Sequence, residues 1–384
     1  MSGLCSVSTG FPNARLIGHG NARSQLLTPA LILDHDQFLA NLQAMQHIAN
    51  LAGVTLRPHG KAHKCPEMAH RQIAAGAVGI CAATPGEAEV FARAGISDIL
   101  MTSTFATRAA AERLADIAAS GTRLSLVADS LVSVNLIAAA LAHRKANARI
   151  LIDIDTGRHR SGARSVEAAR ELADAILKTG NLELAGIQAY AGHLSHWEDL
   201  ASRTDQAQAV GQVLEKMLEG LRPHLPQNPV VTGGSTGAFR QELALELYTE
   251  LQCGSYALMD AEYDRVDPDG TGTPAFPTAL FVSTAVISSN VPGRVTTDGG
   301  EKRFAAKLGT LPVLRRGAPD GATYQPSSDE HGTILLPEGT SLPAGSLVEV
   351  QVPHCDPTVN LYDALHVMRG EKLEAIWPIA ARGA

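Results

Sequence analysis

The sequence predicts a (β/α)8 barrel followed by an antiparallel β domain, and three observations lead to that prediction. Eight short apolar runs alternate with amphipathic stretches between residues 54 and 258, which is the pattern of repeated βα units. From about residue 275 the chain changes to short strand-like segments divided by Pro and Gly, with almost no helical periodicity. Its 384 residues provide enough chain for a barrel of about 250 residues and an appended domain.

The eight apolar runs are the predicted barrel strands. They are residues 54–59, 79–84, 98–104, 123–129, 148–155, 183–190, 229–234 and 250–258. Between them lie helical patterns, for which Thr84 is a predicted N-cap and Gly180 a predicted stop after the helix that follows the fifth run. A doubly wound sheet is the main alternative, but it would need a Gly-rich phosphate motif after its first strand, and none is there.

The strand-like segments set the expected division into domains. Those of the β domain are 279–288, 293–299, 333–337, 346–353 and 372–379. The apolar segment TPALILD at 28–34 precedes the first barrel helix and is expected to pair with them. We therefore expect residues 35–265 to form the barrel, and residues 1–34 with 266–384 to form the β domain.

Composition excludes several classes of protein. Hydrophobic residues make up 45 % and charged residues 18 %, which is typical of a soluble globular protein, and a net charge of −7 offers no basic face to nucleic acid. The chain has no apolar run long enough to span a membrane and no signal peptide, so we expect a cytoplasmic protein. The five cysteines are widely spaced without a CxxC pair, which predicts free thiols.

The first predicted strand ends in RPHGKAHK, which contains two lysines. The active site of a (β/α)8 barrel lies at the C-terminal ends of its strands, so residues in this position are candidates for function. If the strand is extended, Arg57, His59 and Lys61 share one face and Lys61 points into the barrel mouth. Lys64 lies beyond the strand, and we expect it to be a solvated charge, as most lysines are.

Polar residues also follow the fifth and sixth runs. The segment DIDTGRHRSG places Arg160 in a glycine-bounded turn, and QAYAGHLSHWED brings Tyr190, His193 and His196 together. A salt-bridged loop explains the first segment equally well when it is judged alone, and a lone histidine is usually structural. Two histidines and a tyrosine at one strand end nevertheless favour a functional site.

Small residues follow the seventh and eighth runs. These are Gly234, Ser235 and Thr236 in TGGSTG, and Gly254, Ser255 and Tyr256 in QCGSYALMD. Backbone N–H groups of such turns can bind an anion, and phosphate sites of these barrels often lie at strands seven and eight. A lysine amine on the first strand facing this turn is the arrangement needed for pyridoxal 5′-phosphate (PLP).

A second cluster lies in the β domain, in VEVQVPHCDPTVN. Strand alternation would put His354 and Asp356 on the same face as the buried valines and send Cys355 to the other face. An imidazole and a carboxylate can hold a divalent cation when water or substrate fills the remaining positions. A simple hydrogen-bonded pair is the alternative.

Taken in order, RPHGKAHK, DIDTGRHRSG, GGSTG, LQCGSYALMD, SDEHG and PHCDPTVN resemble the motifs of the D-threonine aldolase and D-serine dehydratase-like family. The resemblance implies a fold-type III PLP enzyme with an alanine racemase-like barrel and a C-terminal β domain. It implies that Lys61 carries PLP, with Arg160 near the ring oxygen. The implied cofactor contacts are Tyr190, Gly234, Ser235, Gly254 and Tyr256. We expect His59, which shares the face of Lys61, and Thr236 and Ser255 of the same small-residue turns to contact the cofactor as well.

The metal motif divides this family. Its dehydratases resemble H-x-C, whereas its aldolases resemble H-C-D, which is the order of His354, Cys355 and Asp356 here. The resemblance therefore implies a D-threonine aldolase-type enzyme for D-β-hydroxy-α-amino acids, with Mn²⁺ or Mg²⁺ favoured over Zn²⁺ or Co²⁺. It also implies His196 as the base, with His193 or a metal-bound hydroxide as alternatives, and a homodimer.

Other functions stay open at this point. Very similar motifs occur in D-3-hydroxyaspartate aldolases, and D-serine or 3-hydroxyaspartate dehydration is a further alternative. A non-catalytic PLP carrier would resemble a lone barrel, and a racemase would need no metal. The second domain and its His354/Asp356 pair argue against the carrier.

Overall fold

A computed structural model of the chain describes residues 10–267, 271, 273–305 and 309–384, and two sheets organise them. The chain enters through strand β1 (Ala30–Asp34) and helix α1 (His35–Leu51). Asp34 caps α1 by accepting a hydrogen bond from the Gln37 backbone N–H at 3.0 Å. An eight-stranded parallel sheet then follows, and β1 is not part of it.

The parallel sheet is the predicted barrel. Its strands are β2 (Thr55–Leu56), β3 (Ile80–Ala82), β4 (Asp98–Met101), β5 (Arg123–Ala128), β6 (Ala148–Asp153), β7 (Leu182–Ala189), β8 (Val230–Gly233) and β9 (Glu250–Leu251). They are ordered β2-β9-β8-β7-β6-β5-β4-β3, and a parallel bridge between His59 and Cys81 joins the two ends. All eight predicted strands are present, which confirms the predicted fold class.

Helices cover the outside of this sheet. They are α2 (Pro66–Ala74), α3 (Pro85–Arg93), α4 (Arg108–Ala119), α5 (Leu131–Arg144), α6 (Val166–Leu177), α7 (Leu200–Leu221) and α8 (Phe239–Leu243). Thr84 caps α3 as predicted, since its Oγ1 accepts from the Glu87 backbone N–H at 3.1 Å. The predicted stop at Gly180 is wrong, because α6 already ends at Leu177 with Lys178 as its C-cap.

The β domain contains a nine-stranded mixed sheet. Its later elements are β10 (Leu280–Val291), β11 (Arg294–Thr297), β12 (Val313–Arg316), β13 (Thr323–Pro326), β14 (Gly332–Leu335), β15 (Leu347–Gln351), helix α9 (Cys355–Val359), β16 (Ala364–Arg369) and β17 (Lys372–Pro378). Strand β1 lies inside this sheet, antiparallel to β10 and parallel to β16. The sequence did not predict β12, β13 or β16.

An apolar cluster joins the two domains. It includes Phe38 of α1, Leu56 of β2, Tyr256, Val350 of β15 and Trp377 of β17, all of which are buried. Burying one such side chain stabilises a fold by about 1.5–3 kcal/mol, so the shared cluster holds the domains together. Four cysteines are buried free thiols, Cys65, Cys81, Cys253 and Cys355, while Cys5 lies outside the described residues. Within the described residues, no helix combines the length and apolarity needed to cross a membrane.

A buried charged network crosses the barrel interior. The Arg57 guanidinium donates to Glu250 Oε2 at 2.9 Å and to Asp98 Oδ1 at 2.6 Å, and Thr232 Oγ1 donates to Glu250 Oε1 at 2.8 Å. These contacts connect β2, β4, β8 and β9 beneath the strand ends. Glu250 is buried and pairs with Arg57, whereas Asp98 is partly exposed and also lies 3.6 Å from Arg123, so Glu250 is the carboxylate that depends on Arg57.

Replacing the central cation should destabilise the protein strongly. We expect Arg57→Met to lower the free energy of unfolding by about 3–5 kcal/mol, because it leaves the buried Glu250 carboxylate without a cation. Arg108→Met is the matched control, since Arg108 pairs with Glu112 on the surface and is 84 % exposed. Denaturant titrations of the two variants test this, and equal small losses would contradict it.

Candidate active site

A cavity of about 220 Å³ opens at the C-terminal ends of the barrel strands. Its walls come from residues that follow six of those strands and from two groups outside them, Tyr263 and His354. The lining residues are His59, Lys61, Ala83, Thr102, Ser103, Arg158, Arg160, Gln188, Tyr190, Gly192, Ser195, Gln252, Tyr263 and His354. Five residues predicted from the sequence, His59, Lys61, Arg160, Tyr190 and His354, therefore share one cavity.

Lys61 reaches this cavity from a short turn rather than from an extended strand. The chain forms a 3-10 turn at Gly60–Ala62, so the expected alternation ends before Lys61. Its Nζ lies 2.5 Å from Asp356 Oδ2, and the side chain is 40 % exposed to the cavity. The Asp356 charge raises the pKa of Lys61 and outweighs the opposite effect of burial.

Lys64 has a different environment from the one expected. Its Nζ lies 2.6 Å from Glu87 Oε1, and its side chain is only 15 % exposed, so the prediction of a solvated charge is wrong. Glu87 Oε2 also accepts from the Ala83 backbone N–H at 2.7 Å. Lys64 thus holds the start of α3 in place, away from the cavity.

His59 orients the turn that carries Lys61. Its Nδ1 accepts from the Lys61 backbone N–H at 3.3 Å, so Nε2 carries the proton and donates to Thr102 Oγ1 at 2.9 Å. Burial, and then the nearby Lys61 charge, lowers the pKa of His59 well below its ordinary value. The imidazole is therefore neutral at physiological pH and acts as a fixed support.

Arg160 and Tyr190 form the opposite wall. The Arg160 guanidinium lies 5.7 Å from the centre of the Tyr190 ring, within the range of a cation–π contact. A side chain at Gly192 would come within 2.5 Å of that ring, so glycine there permits the close packing. Arg158 lines the same wall, which makes this side of the cavity cationic.

The two predicted phosphate-binding turns are adjacent. Thr236 Oγ1 accepts from the Tyr256 backbone N–H at 3.0 Å, and Ser195 Oγ on the cavity wall donates to Ser235 Oγ at 2.6 Å. A Cβ at Gly254 would lie 2.8 Å from the His59 carbonyl oxygen. Within the described part of the chain, five backbone N–H groups of these turns have no acceptor: those of Gly234, Thr236, Gly237, Gly254 and Ser255. They are donors suited to a phosphate.

The predicted residues Tyr256 and His196 are not among the side chains that line the cavity as the structure describes it. The Tyr256 ring is buried in the apolar cluster between the domains, 5.7 Å from the Phe276 ring. The backbone of His196 belongs to the turn Gly192–His196, but its side chain lies outside the described part of the structure. His193 lies in the same turn and is partly buried.

The expectation that His354 and Asp356 share a strand face is wrong. Strand β15 ends at Gln351, and Asp356 lies in the first turn of helix α9, for which His354 is the N-cap. Both residues still face the same cavity, since His354 lines it and Asp356 contacts Lys61. Burial alone would raise the pKa of Asp356, but the charges of Lys61 and His354 hold it well below its usual range.

Asp260 is a site residue that was not predicted from the sequence. Its Oδ2 lies 2.9 Å from His354 Nδ1 and accepts from the Cys355 backbone N–H at 2.8 Å. Potential ligand atoms of Asp260, His354 and Cys355 all lie within 4.8 Å of one another. With Nδ1 engaged by Asp260, Nε2 is the nitrogen through which His354 would bind a metal. The position of Asp260 just after LQCGSYALM was the available signal.

A polar network supports the floor of the cavity. Gln252 Nε2 donates to Gln188 Oε1 at 3.1 Å, and Gln188 Nε2 donates to Asp153 Oδ1 at 2.9 Å. Ser161, next to Arg160, donates to the other oxygen of Asp153 at 2.7 Å. The network therefore connects the Arg160 turn to strands β6, β7 and β9.

Comparison with known proteins agrees with this geometry. Residues 33–262 match the family model for the alanine racemase N-terminal domain, and residues 279–368 match a serine dehydratase domain model. A D-threonine aldolase of Arthrobacter sp. is 36 % identical over 365 residues, which cover 95 % of each chain. A 3-hydroxy-D-aspartate aldolase of Paracoccus denitrificans is 36 % identical over 375 residues, 95 % of this chain and 94 % of that one.

A solved structure gives the same result. The D-threonine aldolase from Filomicrobium marinum is similar with a TM-score of 0.89 and 36 % identity, covering 94 % of this chain and 97 % of that one. Sequence and fold thus agree over nearly the full length of both chains. The chain belongs to the D-threonine aldolase and D-serine dehydratase-like family of fold-type III, alanine racemase-like proteins.

Proposed function

We propose that this protein is a PLP- and divalent-metal-dependent D-threonine aldolase that cleaves D-threonine to glycine and acetaldehyde. One observation carries the proposal. Lys61 Nζ lies 2.5 Å from Asp356 Oδ2, and His354 lines the same cavity as Lys61. An amine for the cofactor and ligands for a cation are thereby within reach of one small substrate. The names of the relatives support the same activity.

The residues around the cavity fit PLP. Lys61 supplies the amine for covalent attachment, and the N–H groups of Thr236, Gly237, Gly254 and Ser255, in turns packed against Ser195 and His59 of the cavity wall, supply donors for the phosphate. Arg160 and Tyr190 form the wall that would face the cofactor ring. When bound, PLP supplies an electron sink for the charge left on Cα as the Cα–Cβ bond breaks.

The imidazole and carboxylates beside Lys61 fit a divalent cation. His354 and Asp356 would be its ligands, while Asp260 holds the imidazole in orientation through Nδ1. An imidazole with carboxylates and water suits Mn²⁺ or Mg²⁺ better than a softer ion, so we assign one of these. Such an ion would act as a Lewis acid toward the β-hydroxyl of the substrate.

A base must accept the proton of the β-hydroxyl. We assign this role to His196, because its turn contributes Gly192 and Ser195 to the cavity wall, with His193 of the same turn as the alternative. His59 is unsuited to it, since both of its ring nitrogens are engaged by Lys61 and Thr102. Cleavage of Cα–Cβ turns the β-hydroxyl carbon into acetaldehyde, and the proton lost from the hydroxyl is balanced by one gained at Cα, which gives glycine. No further reactant is needed.

D-3-Hydroxyaspartate is a second candidate substrate. Arg158 and Arg160 make one wall cationic, whereas Ala83 is the single aliphatic side chain among the lining residues. A β-carboxylate would find partners there more readily than the methyl group of threonine. The same retro-aldol chemistry would then give glycine and glyoxylate.

A product assay distinguishes these reactions. We expect the purified protein, with PLP and Mn²⁺, to convert D-threonine to equal amounts of glycine and acetaldehyde, and to lose this activity in EDTA. Formation of 2-oxobutyrate would instead identify a dehydratase. An unchanged rate in EDTA would contradict the assigned metal. A parallel assay with D-3-hydroxyaspartate measures the preference between the two substrates.

The two lysines of RPHGKAHK should behave differently. We expect Lys61→Ala to abolish the visible absorbance of covalently held PLP, because the attaching amine is gone. Lys64→Ala should keep that absorbance and only lower the melting temperature, since it breaks the ion pair with Glu87. A folded Lys61→Ala protein with an intact band would overturn the assignment.

The metal assignment predicts a graded effect of two substitutions. Asp260→Asn should weaken Mn²⁺ binding about 10–100-fold and be rescued by excess Mn²⁺, because Asp260 only orients His354. His354→Ala should not be rescued. Asp264→Asn is the matched control, since Asp264 pairs with Arg315 at 2.7 Å. Titration of activity with Mn²⁺ measures all three, and identical curves for Asp260→Asn and Asp264→Asn would contradict the role of Asp260.

A further inference from the structure

Glu242 is a buried acid directly behind the first phosphate-binding turn. It lies in α8, which begins two residues after that turn, and its side chain is fully enclosed. Its Oε2 accepts from the Ser235 backbone N–H at 2.9 Å. Its Oε1 has no hydrogen-bond partner in the described part of the chain. Neither the cofactor, the metal ion nor the base proposed for this site uses Glu242.

The surroundings of Glu242 favour its neutral form. Within the described residues no cation pairs with it, and the titratable groups that face it are Tyr248 and Cys253. Burial raises the pKa of Glu242 to about 8, against the weaker opposite effect of the Ser235 hydrogen bond. Burial and the charge of Glu242 raise the pKa values of Tyr248 and Cys253 far above neutrality, so both stay protonated.

Glu242 also fixes the shape of the turn. By accepting from Ser235 it directs that N–H away from the cavity and leaves those of Thr236 and Gly237 for an anion. Gly234 has φ +89°, and a Cβ there would lie 2.8 Å from Leu251 and 3.5 Å from Glu242 Oε2. The turn is therefore packed closely against the acid.

We propose that Glu242 is a positioning residue that holds this turn as a neutral carboxylic acid, so that the turn binds a phosphate dianion strongly only while Glu242 carries its proton. This inference rests on the proposed PLP site but concerns a group that touches neither the cofactor ring nor the substrate. A phosphate monoester is already a dianion above about pH 6. An ionised Glu242 would thus place like charge behind the same turn, in the poorly screening interior.

The sign of the pH dependence follows from this coupling. Phosphate binding and loss of the Glu242 proton oppose each other, so affinity is full below the pKa of Glu242 and falls as pH rises through it. One coupled proton limits the loss to about tenfold per pH unit. Removing the charge while keeping the acceptor, as in Glu242→Gln, should remove the pH dependence and retain the turn.

Pyridoxine 5′-phosphate is the probe for this test, because it has the phosphate of PLP but no aldehyde to react with Lys61. We expect calorimetric titration of the full-length, cofactor-free protein to show about tenfold weaker binding at pH 9 than at pH 7, with about half a proton taken up per site at pH 8. Glu242→Gln should bind with the pH 7 affinity at both values, without proton uptake. Glu246→Gln, an exposed position in the same segment, should behave like the unchanged protein.

Each other outcome overturns the inference in a recognisable way. Equal affinity of the unchanged protein at pH 7 and 9 would show that Glu242 is not coupled to the phosphate, while the PLP site itself would stand. Retained pH dependence in Glu242→Gln would assign the coupling to another group. Absence of binding at every pH would overturn the proposed PLP site together with the inference. If Glu242→Gln fails to fold, the number of protons that the unchanged protein takes up on binding the probe tests the inference instead, and no uptake would overturn it.

Discussion

The ion pair between Lys61 and Asp356 is the contact on which the site depends, because its two members come from different domains. Lys61 lies on a turn after the first barrel strand, and Asp356 lies in a short helix of the β domain. The 2.5 Å contact requires both domains to be held in a fixed relation. The apolar cluster that includes Phe38, Tyr256 and Val350 provides that constraint. The cavity is thus a property of the domain interface as much as of the barrel.

Around this ion pair, the supporting residues act mainly by orientation. His59 fixes the Lys61 turn through its backbone, Asp260 fixes the ring of His354, and Glu242 fixes the turn that contains Ser235. In each case a hydrogen bond with the supporting residue orients a neighbour toward the cavity: Lys61, the His354 imidazole, or the free N–H groups of the turn. An active site needs such support because small displacements of the reacting groups lower the reaction rate strongly.

Periodicity was sufficient to predict the barrel from the sequence, because few other folds accommodate eight apolar runs that alternate with helical patterns. It also predicted Lys61 as the residue of RPHGKAHK that reaches the cavity, although a turn rather than a strand places it there. Strands β12 and β13 were missed because VLRR and TYQP are short and lack an apolar alternation. Contacts between distant segments, such as Lys64 with Glu87, leave no local pattern in the chain, and the motif that contains Asp260 does not show that His354 is its partner. The side chain of Asp356 was placed on a strand because nothing in PHCDP marks the start of a helix.

The position of β1 has a consequence for the order in which the protein can be assembled during synthesis. This strand leaves the ribosome before any barrel strand, yet its partners β10 and β16 lie about 250 and 335 residues further along the chain. The barrel can form while β1 still lacks both neighbours, so a nascent chain exposes an apolar strand edge for most of its translation. The strand that precedes His354 pairs with β10 as well, and the half of the cavity that contains His354 and Asp356 therefore forms last. Catalytic competence is thus gained only when the two ends of the chain have met.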